Sequence, residues 1–429
     1  MHLIILLFFV LASFSHQVPL PPTPFNTTVI PVTKDASTSV HKVSWSFTQP
    51  TRDTDLSYLI DLDAPFTWQD CVVHKPTNDL FCFIEEGCKS PLPCDDAACK
   101  EAQSYINPLC PSRNITAKYG CKICTVTPFN PVSKSCKLSQ LTIDLMHMYV
   151  TNGRNPFYEF LPSYFGTPFT LSCAPSSLLR SLPKYVNGVV ALSWSSLAFP
   201  RQITFPSVAD KFGLCLPSSS SITAPGAIFL GDGPFYFTPF PNLDLRTILS
   251  YTLMVRKSSK SLGYYVKING ISIKGKHITL KAKSMRLSSV VPYTTLRSDI
   301  YKALVTAFTK AIKNIPRVNA VKPFSLCVKA SAIGSVRTGF RVPNIDLETE
   351  SGKVWTISGD NSMKRTGNGT ACLAFIDGGL GVKDAILMGT FQMENNFLFF
   401  DMENQKLGFS SSLLARGTSC SGFNFTITE

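Results

Sequence analysis

The sequence predicts a two-lobed, mainly antiparallel all-β protein with a few short helices. Short runs in which apolar and polar residues alternate, such as HKVSWSF (41–47) and SYLIDL (57–62), are typical of half-buried strands. The length of 429 residues exceeds what one hydrophobic core usually supports, which favours two lobes. An apolar run that adjoins a glycine occurs in each half, at 186–192 and at 385–389, and indicates that the second half repeats the architecture of the first.

The first fifteen residues predict a secretory signal peptide (1–15). MHLIILLFFVLASFS has an apolar core that ends in small residues and suits cleavage before His16, and it is shorter than the ~20 residues that span a bilayer. No later run is long and apolar enough to span a membrane. We therefore expect the mature chain to be secreted, with no membrane as a partner.

We place the boundary between the lobes near residue 240. There AIFLGDG (227–233) is followed by a proline-rich stretch, FYFTPFPN (235–242), as expected of a crossover between two units. The N-terminal lobe, with its cysteine-rich loop region, then covers residues 16–240, and the C-terminal lobe covers residues 241–429.

Few regular elements other than strands are predicted. A helix is expected from Arg297 to Ile312, because apolar residues recur there at three- and four-residue spacing. Hairpins are expected at Asn152-Gly153, a strong turn dipeptide, and within 397–409.

Fourteen cysteines in a secreted chain indicate disulfides. Ten precede residue 180 and four follow it, so five bridges are possible in the first set and two in the second. Cys121-x-x-Cys124 is also compatible with a redox or zinc half-site, but no second such pair and no histidine pair accompanies it, so no metal or cofactor is predicted. The predicted disulfide cysteines are Cys71, Cys82, Cys88, Cys94, Cys99, Cys110, Cys121, Cys124, Cys136, Cys173, Cys215, Cys327, Cys372 and Cys420.

The charge balance is strongly basic, with a net charge of +13. In a secreted protein this favours solubility and weak attraction to acidic cell-wall polysaccharide. The lysines are dispersed and no basic motif is interleaved with aromatic residues, so nucleic acid is not an expected partner. Sequons for N-glycosylation occur at Asn26, Asn114, Asn368 and Asn424.

The stretch LIDLDAPFTWQDC (59–71) resembles the motif of aspartic peptidases, in which a hydrophobic strand delivers Asp-Thr-Gly-Ser to the floor of a cleft. The four motif positions hold Asp61, Leu62, Asp63 and Ala64, so only the acid is retained. In such a peptidase the hairpin at Asn152-Gly153 would be the flap over the cleft, with Tyr149 near the position of its tyrosine, but an ordinary hairpin explains Tyr149 at least as well.

The second acid of an aspartic peptidase is missing. Counting back from Leu296 along the pattern Asp-Ser-Gly-Thr-x-x-Thr-x-Leu places Ser288 at the acid position. Because catalysis requires two carboxyl groups that share a proton, the chain is predicted to be a proteolytically inactive homologue with a degenerate pair, Asp61 and Ser288.

Two enzyme classes are alternatives to an inactive homologue. Asp377-Gly378-Gly379 also follows a hydrophobic strand, but it lies about 90 residues beyond the expected site, and we interpret it as a turn. An active peptidase would need an unrecognised second acid beside Asp61. A serine hydrolase is not supported, because the Gly-x-Ser-x-Gly elbow is absent and the six histidines show neither triad nor metal spacing.

The chain resembles the plant pepsin-like glycoside hydrolase inhibitors. This family includes xylanase inhibitors, xyloglucan endoglucanase inhibitors, extracellular dermal glycoproteins and basic 7S globulins. The resemblance covers nearly the whole mature chain and is most specific in TVTPFNPVSKSC (125–136), VVPYTTLRSDIYKALVTAFTKAI (290–312) and VWTISGDNSM (354–363).

The resemblance implies a bilobal pepsin-like aspartic peptidase fold and a monomer that acts in the apoplast as a plant defence protein. Its partner would be a microbial glycoside hydrolase of family 11 or 12. Family inhibitors direct a basic side chain at the catalytic carboxylates of the target, and the spacing from Cys327 assigns this role to Arg337. Counting from Cys420, the second family position falls on Gly417, and the neighbouring Arg416, where xylanase inhibitors have a histidine, is the other candidate. A storage or ligand-binding role, as in the basic 7S relatives, stays open.

Overall fold

The structure is a computed structural model. It describes residues 27–45, 56–71, 91–110, 122–146, 148–157, 167–203, 210–258, 260–367 and 369–427. The predicted signal peptide, the sequons at Asn26, Asn114 and Asn368, and the cysteines Cys82, Cys88 and Cys121 lie outside these ranges.

Strands dominate both halves of the chain. The strands that precede residue 240 are β1 (Thr27–Lys34), β2 (His41–Trp45), β3 (Leu56–Asp61), β4 (Trp68–Asp70), β5 (Thr125–Val126), β6 (Phe129–Asn130), β7 (Ser135–Cys136), β8 (Ser139–Met146), β9 (Tyr149–Thr151), β10 (Pro156–Phe157), β11 (Thr167–Ala174), β12 (Gly188–Ala191), β13 (Lys211–Cys215), β14 (Gly226–Leu230) and β15 (Tyr236–Phe237).

The strands of the second half are β16 (Phe240–Asp244), β17 (Ser250–Val255), β18 (Tyr265–Ile273), β19 (Lys276–Thr279), β20 (Ser284–Leu287), β21 (Thr294–Leu296), β22 (Arg317–Val318), β23 (Cys327–Lys329), β24 (Ser335–Val336), β25 (Gly339–Phe340), β26 (Ile345–Thr349), β27 (Val354–Ile357), β28 (Met363–Arg365), β29 (Thr370–Leu373), β30 (Phe375–Asp377), β31 (Ile386–Met388), β32 (Asn396–Asp401) and β33 (Lys406–Ser412).

Helices are short. The α-helices of the described residues are α1 (Ala97–Ser104), α2 (Phe199–Gln202), α3 (Ser298–Ala311), α4 (Gly359–Ser362) and α5 (Thr390–Met393). The predicted helix at 297–312 is confirmed as α3, which carries Asp299 in its first turn and Lys310 in its last, as the helix dipole favours. Single 3₁₀ turns cover Ser176–Leu179, Leu245–Ile248, Ala330–Ala332, Leu413–Arg416 and Cys420–Gly422.

A central antiparallel sheet joins the two halves. Its strands run in the order β1, β14, β13, β32, β33 and β17. Within this sheet the halves meet where β13 pairs with β32 and Leu214 faces Leu398. The β32–β33 hairpin is the one predicted within 397–409. Apolar side chains cover this junction, as in the parallel stack of Phe212 on Phe400 at 4.3 Å between ring centroids.

The same four-strand arrangement occurs once in each half. In the first, β12 runs parallel to β3 and antiparallel to β4, and β4 runs parallel to β11. In the second, β31, β20, β21 and β30 pair in the same way. The internal repeat that the sequence predicts is therefore present, and with it the predicted mainly antiparallel, bilobal fold class.

The registers of the repeat fix which residues correspond. In the first half, Leu59 of β3 and Trp68 of β4 both face Val189 of β12. In the second half, Arg286 of β20 and Thr295 of β21 both face Leu387 of β31. Arg286 therefore corresponds to Leu59, and Thr295 corresponds to Trp68. In both cases the two corresponding residues lie 227 positions apart in the sequence, and Leu62 and Ser289 have the same separation. Any residue of β3 or β4 can thus be matched to its counterpart in the second half.

Disulfides link the described cysteines. The bonds are Cys71–Cys173, Cys99–Cys124, Cys110–Cys136, Cys215–Cys420 and Cys327–Cys372, and Cys94 is also disulfide-bonded. The four cysteines after residue 180 form two bonds, as their even number predicts. Cys124 pairs with Cys99, so this half of the Cys121-x-x-Cys124 motif is structural. In the described part of the chain, no helix is both long and apolar enough to cross a membrane.

Candidate functional site

A cleft of about 970 Å³ opens between the two lobes, with Asp61 and Ser288 at its floor. Asp61 is the last residue of β3, and Ser288 directly follows β20. By the registers of the repeat, Ser288 is the counterpart of Asp61. Residues that the sequence places 227 positions apart are thus brought to one site.

Ser289 forms hydrogen bonds between the two lobes at the floor of the cleft. Its Oγ accepts a hydrogen bond from the Leu62 N–H at 3.0 Å and donates one to the Ile60 carbonyl oxygen at 2.7 Å. All three residues are buried. Asp61 lies between the two residues that Ser289 holds, so this contact fixes the position of Asp61. Sequence reasoning missed the role of Ser289, although the serine stands beside the predicted acid position.

Asp61 is almost completely buried, with 5% of its surface exposed. Its Oδ1 accepts a hydrogen bond from the Asp63 N–H at 2.9 Å. Burial, reinforced by the negative charge of Asp63, raises the pKa of Asp61 to about 7, while its hydrogen bonds and Arg286 act in the opposite direction. In mildly acidic solution the side chain is therefore largely protonated and can donate a hydrogen bond.

A chain of opposite charges runs from the floor to the C-terminal lobe. Asp63 forms an ion pair with Arg286, Arg286 lies 3.0 Å from Asp384, and Lys257 pairs with the other oxygen of Asp384. These partners were not predicted. The sequence feature that could have indicated these ion pairs is Arg286, an arginine within the short strand SMRL (284–287), two positions before Ser288. The structure places Arg286 among the residues that line the cleft.

The segment at the cleft is not the hairpin that would form the flap of a peptidase. Residues 125–134 line the cleft, and the Trp68 Nε1–H donates to the Phe129 carbonyl oxygen at 3.0 Å. The hairpin at Asn152-Gly153 does form, between β9 and β10, but Tyr149 pairs with Val29 at the edge of β1. Of the two interpretations of Tyr149, the structure therefore supports the ordinary hairpin and not the flap, because a turn dipeptide specifies a hairpin without specifying which sheet that hairpin joins.

Asp377 lies at a turn and is not among the described residues that line the cleft. Its Oδ1 accepts hydrogen bonds from the Ser298 hydroxyl and from the Gly379 N–H, and these contacts lower the pKa of Asp377. Gly379 has a φ of +84°, a left-handed conformation that favours glycine. This geometry agrees with the interpretation of Asp377-Gly378-Gly379 as a turn.

Arg337 and the segment after Arg416 lie side by side. Arg337 is at the turn of the β24–β25 hairpin, and Arg416 ends a 3₁₀ turn that Gly417 terminates with a φ of +83°. A Cβ atom at Gly417 would lie 3.1 Å from Arg337 Nη1. Both arginines are exposed, and neither forms a hydrogen bond or ion pair with another described residue.

Asn424 is the one predicted glycosylation site within the described ranges. It is exposed, and its Oδ1 accepts a hydrogen bond from the Thr426 N–H at 3.0 Å, so the first and third residues of the sequon form a local turn. Glycosylation at Asn424 stays a prediction, as it does at the other three sites.

Comparison with known proteins gives matches to both halves. Residues 44–232 match the family model described as xylanase inhibitor N-terminal, and residues 263–411 match the one described as xylanase inhibitor C-terminal. A rice protein (Oryza sativa subsp. japonica) named chitinase CLP is 35% identical, over 93% of this chain and 91% of that protein.

Solved structures have the same fold. The crystal structure of edgp matches with a TM-score of 0.79 and 29% identity, over 95% of this chain and all of that chain. Conglutin gamma, a basic 7S globulin from lupine seeds, matches with a TM-score of 0.74 and 26% identity, over 94% and 99% of the two chains.

Proposed function

Because the chain belongs to the xylanase inhibitor family of pepsin-like proteins, we propose that it is a secreted, proteolytically inactive inhibitor of microbial glycoside hydrolases that degrade the cell wall. Its disulfides support secretion, since such bonds persist in oxidising compartments. The target class is a family 11 xylanase or a family 12 xyloglucan endoglucanase.

The absence of proteolysis is part of the proposal. An aspartic peptidase activates water with two carboxyl groups that share a proton. The counterpart of Asp61 in the internal repeat is Ser288, whose hydroxyl cannot take the place of a carboxylate in such a pair. The nearby Asp63 is already committed to Arg286. These contacts support the proposal that the residues of the cleft floor hold the two lobes together and do not activate water.

One observation supports inhibition: Arg337 lies beside Gly417, the neighbour of Arg416 in the chain, and both arginines are exposed. A glycoside hydrolase depends on two carboxylates about 5 to 9 Å apart. A guanidinium binds carboxylates through two parallel hydrogen bonds and keeps its charge at any physiological pH. Arginines without intramolecular partners can make those bonds with the target.

An inhibition screen tests the proposal. The purified chain is mixed with a panel of family 11 xylanases and family 12 endoglucanases, and residual hydrolysis and calorimetric binding are measured. We expect saturable inhibition of at least one enzyme. If every hydrolase keeps full activity and none binds, inhibition is excluded for this target class. Turnover of a denatured protein at pH 3 to 5 that is lost in Asp61→Ala would establish proteolysis instead.

Two similarities favour further assays in the same screen. The likeness to a lupine seed globulin favours a storage or ligand-binding role, which abundance in seed tissue would support. The likeness to a protein named chitinase CLP favours a test for hydrolysis of chitin oligosaccharides. A hydrolase would need two free carboxylates, and among the described residues that line the cleft only Asp61 is a carboxylate without an ion pair, so we expect no hydrolysis.

A further inference from the structure

Three loops meet around Arg337 and enclose a surface pocket of about 570 Å³. They are the β15–β16 hairpin, the β24–β25 hairpin and the C-terminal segment 413–422. We propose that Phe240, on the first of these loops, is a specificity-determining residue of the inhibitory surface: its ring packs against the wall of the target's substrate cleft while Arg337 binds the carboxylates. The inference rests on the proposed function and adds to it a contact that the arginines do not supply.

Hydrogen bonds attach the tip of the β15–β16 hairpin to the C-terminal segment. The N–H and the Oγ1 of Thr238 both donate to the Gly422 carbonyl oxygen, at 2.8 and 3.0 Å. In return, Thr418 Oγ1 donates to the Thr238 carbonyl oxygen at 2.5 Å. The Cys215–Cys420 disulfide anchors the same segment to β13. Phe240, two residues beyond Thr238, is therefore presented from a fixed loop.

The outer part of the hairpin is held as well. The Arg154 guanidinium lies 4.3 Å from the ring centroid of Tyr236 and donates a hydrogen bond to the Pro241 carbonyl oxygen. Asp244 at the end of β16 binds Arg246 through two hydrogen bonds. Little conformational entropy is then left to lose on binding, which favours affinity.

Phe240 and Arg337 border the same space. A Cβ atom at Gly417 would lie 3.1 Å from Arg337 Nη1 and 3.8 Å from Phe240 Cζ. The absence of a side chain at Gly417 thus leaves room for the guanidinium and the ring tip to lie next to each other. The positive φ of Gly417 also favours glycine, so the backbone conformation and the limited space each favour glycine at this position.

The chemistry of this surface favours one kind of partner. Phe240 is 39% exposed and Val336, beside Arg337, is 43% exposed, so apolar area adjoins a free positive charge. The described residues that line the pocket include no carboxylate that could compete for Arg337. Aromatic residues and arginine are the typical anchors of interface hot spots. A hydrolase cleft offers the complement, because it combines paired carboxylates with apolar walls.

The test compares Phe240 variants of the full chain. Inhibition constants are measured against each family 11 xylanase and family 12 endoglucanase that the wild-type chain inhibits. We expect Phe240→Ala to weaken inhibition about tenfold or more, by different factors for the two families, and Phe240→Tyr to keep it, because the ring remains. Phe240→Glu should weaken inhibition at least as much, since its charge repels the target's carboxylates. Leu253→Ala, at a more exposed apolar residue outside the pocket, should have no effect.

The possible results separate the two proposals. If Phe240→Ala and Phe240→Glu inhibit every target as wild type does while Arg337→Ala fails, the role of Phe240 is overturned and the proposed function stands. A loss that Phe240→Tyr shares equally would also overturn it, because the ring would not be the determinant. If the wild-type chain inhibits no hydrolase, the proposed function fails and this inference fails with it.

Discussion

Asp63 Oδ2 lies 2.5 Å from Arg286 Nη1, so an acid from one lobe pairs with a base from the other at the cleft floor. Asp63 stands where the peptidase motif has glycine, and Arg286 precedes the position that corresponds to Asp61 by two residues. Two departures from the peptidase pattern therefore form one contact.

We expect Asp63→Asn to destabilise the chain by about 1 kcal/mol, because it leaves Arg286 with one acidic partner. The value is modest since 42% of the Asp63 side chain is exposed and water screens the pair. Urea unfolding measures the change. The control is Glu350→Gln, which breaks the more exposed Lys267–Glu350 pair within one lobe and should have a smaller effect. A double-mutant cycle with Arg286→Met that gives no coupling energy would contradict the prediction.

The contacts that sequence reasoning could predict are local, and the ones it missed are not. Helix α3 and the β32–β33 hairpin follow from periodicity and turn residues within short windows. Ser288 was matched to Asp61 through a motif spacing, and the strand registers give the same correspondence. The hydrogen bond between Leu62 and Ser289 joins two segments 227 positions apart, so no local sequence pattern indicates it. The flap interpretation of Tyr149 fails for the same reason, since strand pairing is a long-range choice.

Ser289→Ala should destabilise the chain by about 2 to 4 kcal/mol. The change leaves the Leu62 N–H and the Ile60 carbonyl oxygen buried without this partner, and each unsatisfied group costs about 1 to 3 kcal/mol. The control is Ser193→Ala, which removes a buried hydroxyl that donates to Ala64 within one lobe. Calorimetric unfolding compares them. Only Ser289→Ala should make the two lobes unfold less cooperatively, and a single unchanged transition would refute its bridging role.

The pKa of Asp61 predicts how stability depends on pH. Its pKa is about 7 in the folded chain against an ordinary value of 3.8, so the folded state binds a proton that the unfolded state has released between these values. The contribution of Asp61 to the free energy of unfolding should therefore fall as the pH rises from 4 to 7. Glu394, whose pKa burial also raises to about 7, acts in the same direction, whereas burial lowers the pKa of His41 to about 3, so the contribution of His41 rises with pH.

Urea midpoints between pH 4 and pH 7 test this dependence. Asp61→Asn removes one titrating group without changing its shape, so the wild-type midpoint should fall relative to that of Asp61→Asn as the pH rises. A pKa shift is equivalent to about 1.4 kcal/mol per unit, so the difference in slope should be measurable. Asp377→Asn is the control, because the pKa of Asp377 is lowered from its ordinary 3.8 and its contribution is lost only below that pH, so between pH 4 and pH 7 this variant should follow the wild-type slope. Identical slopes for wild type and Asp61→Asn would show that Asp61 does not titrate in this range.

Arg416→Ala should weaken inhibition of the target hydrolase by roughly 2 to 4 kcal/mol if the guanidinium is buried against carboxylates in the complex. Arg416 is exposed and forms no ion pair with the rest of the described chain, so its loss should leave the free energy of unfolding unchanged. Arg416→Lys should give an intermediate loss, because lysine keeps the charge but cannot bind a carboxylate through a planar fork. Arg317→Ala, at an exposed arginine on β22 outside the pocket, controls for the effect of net charge. Equal losses for Arg416→Ala and Arg317→Ala would mean that inhibition depends on the overall basic charge and not on this site.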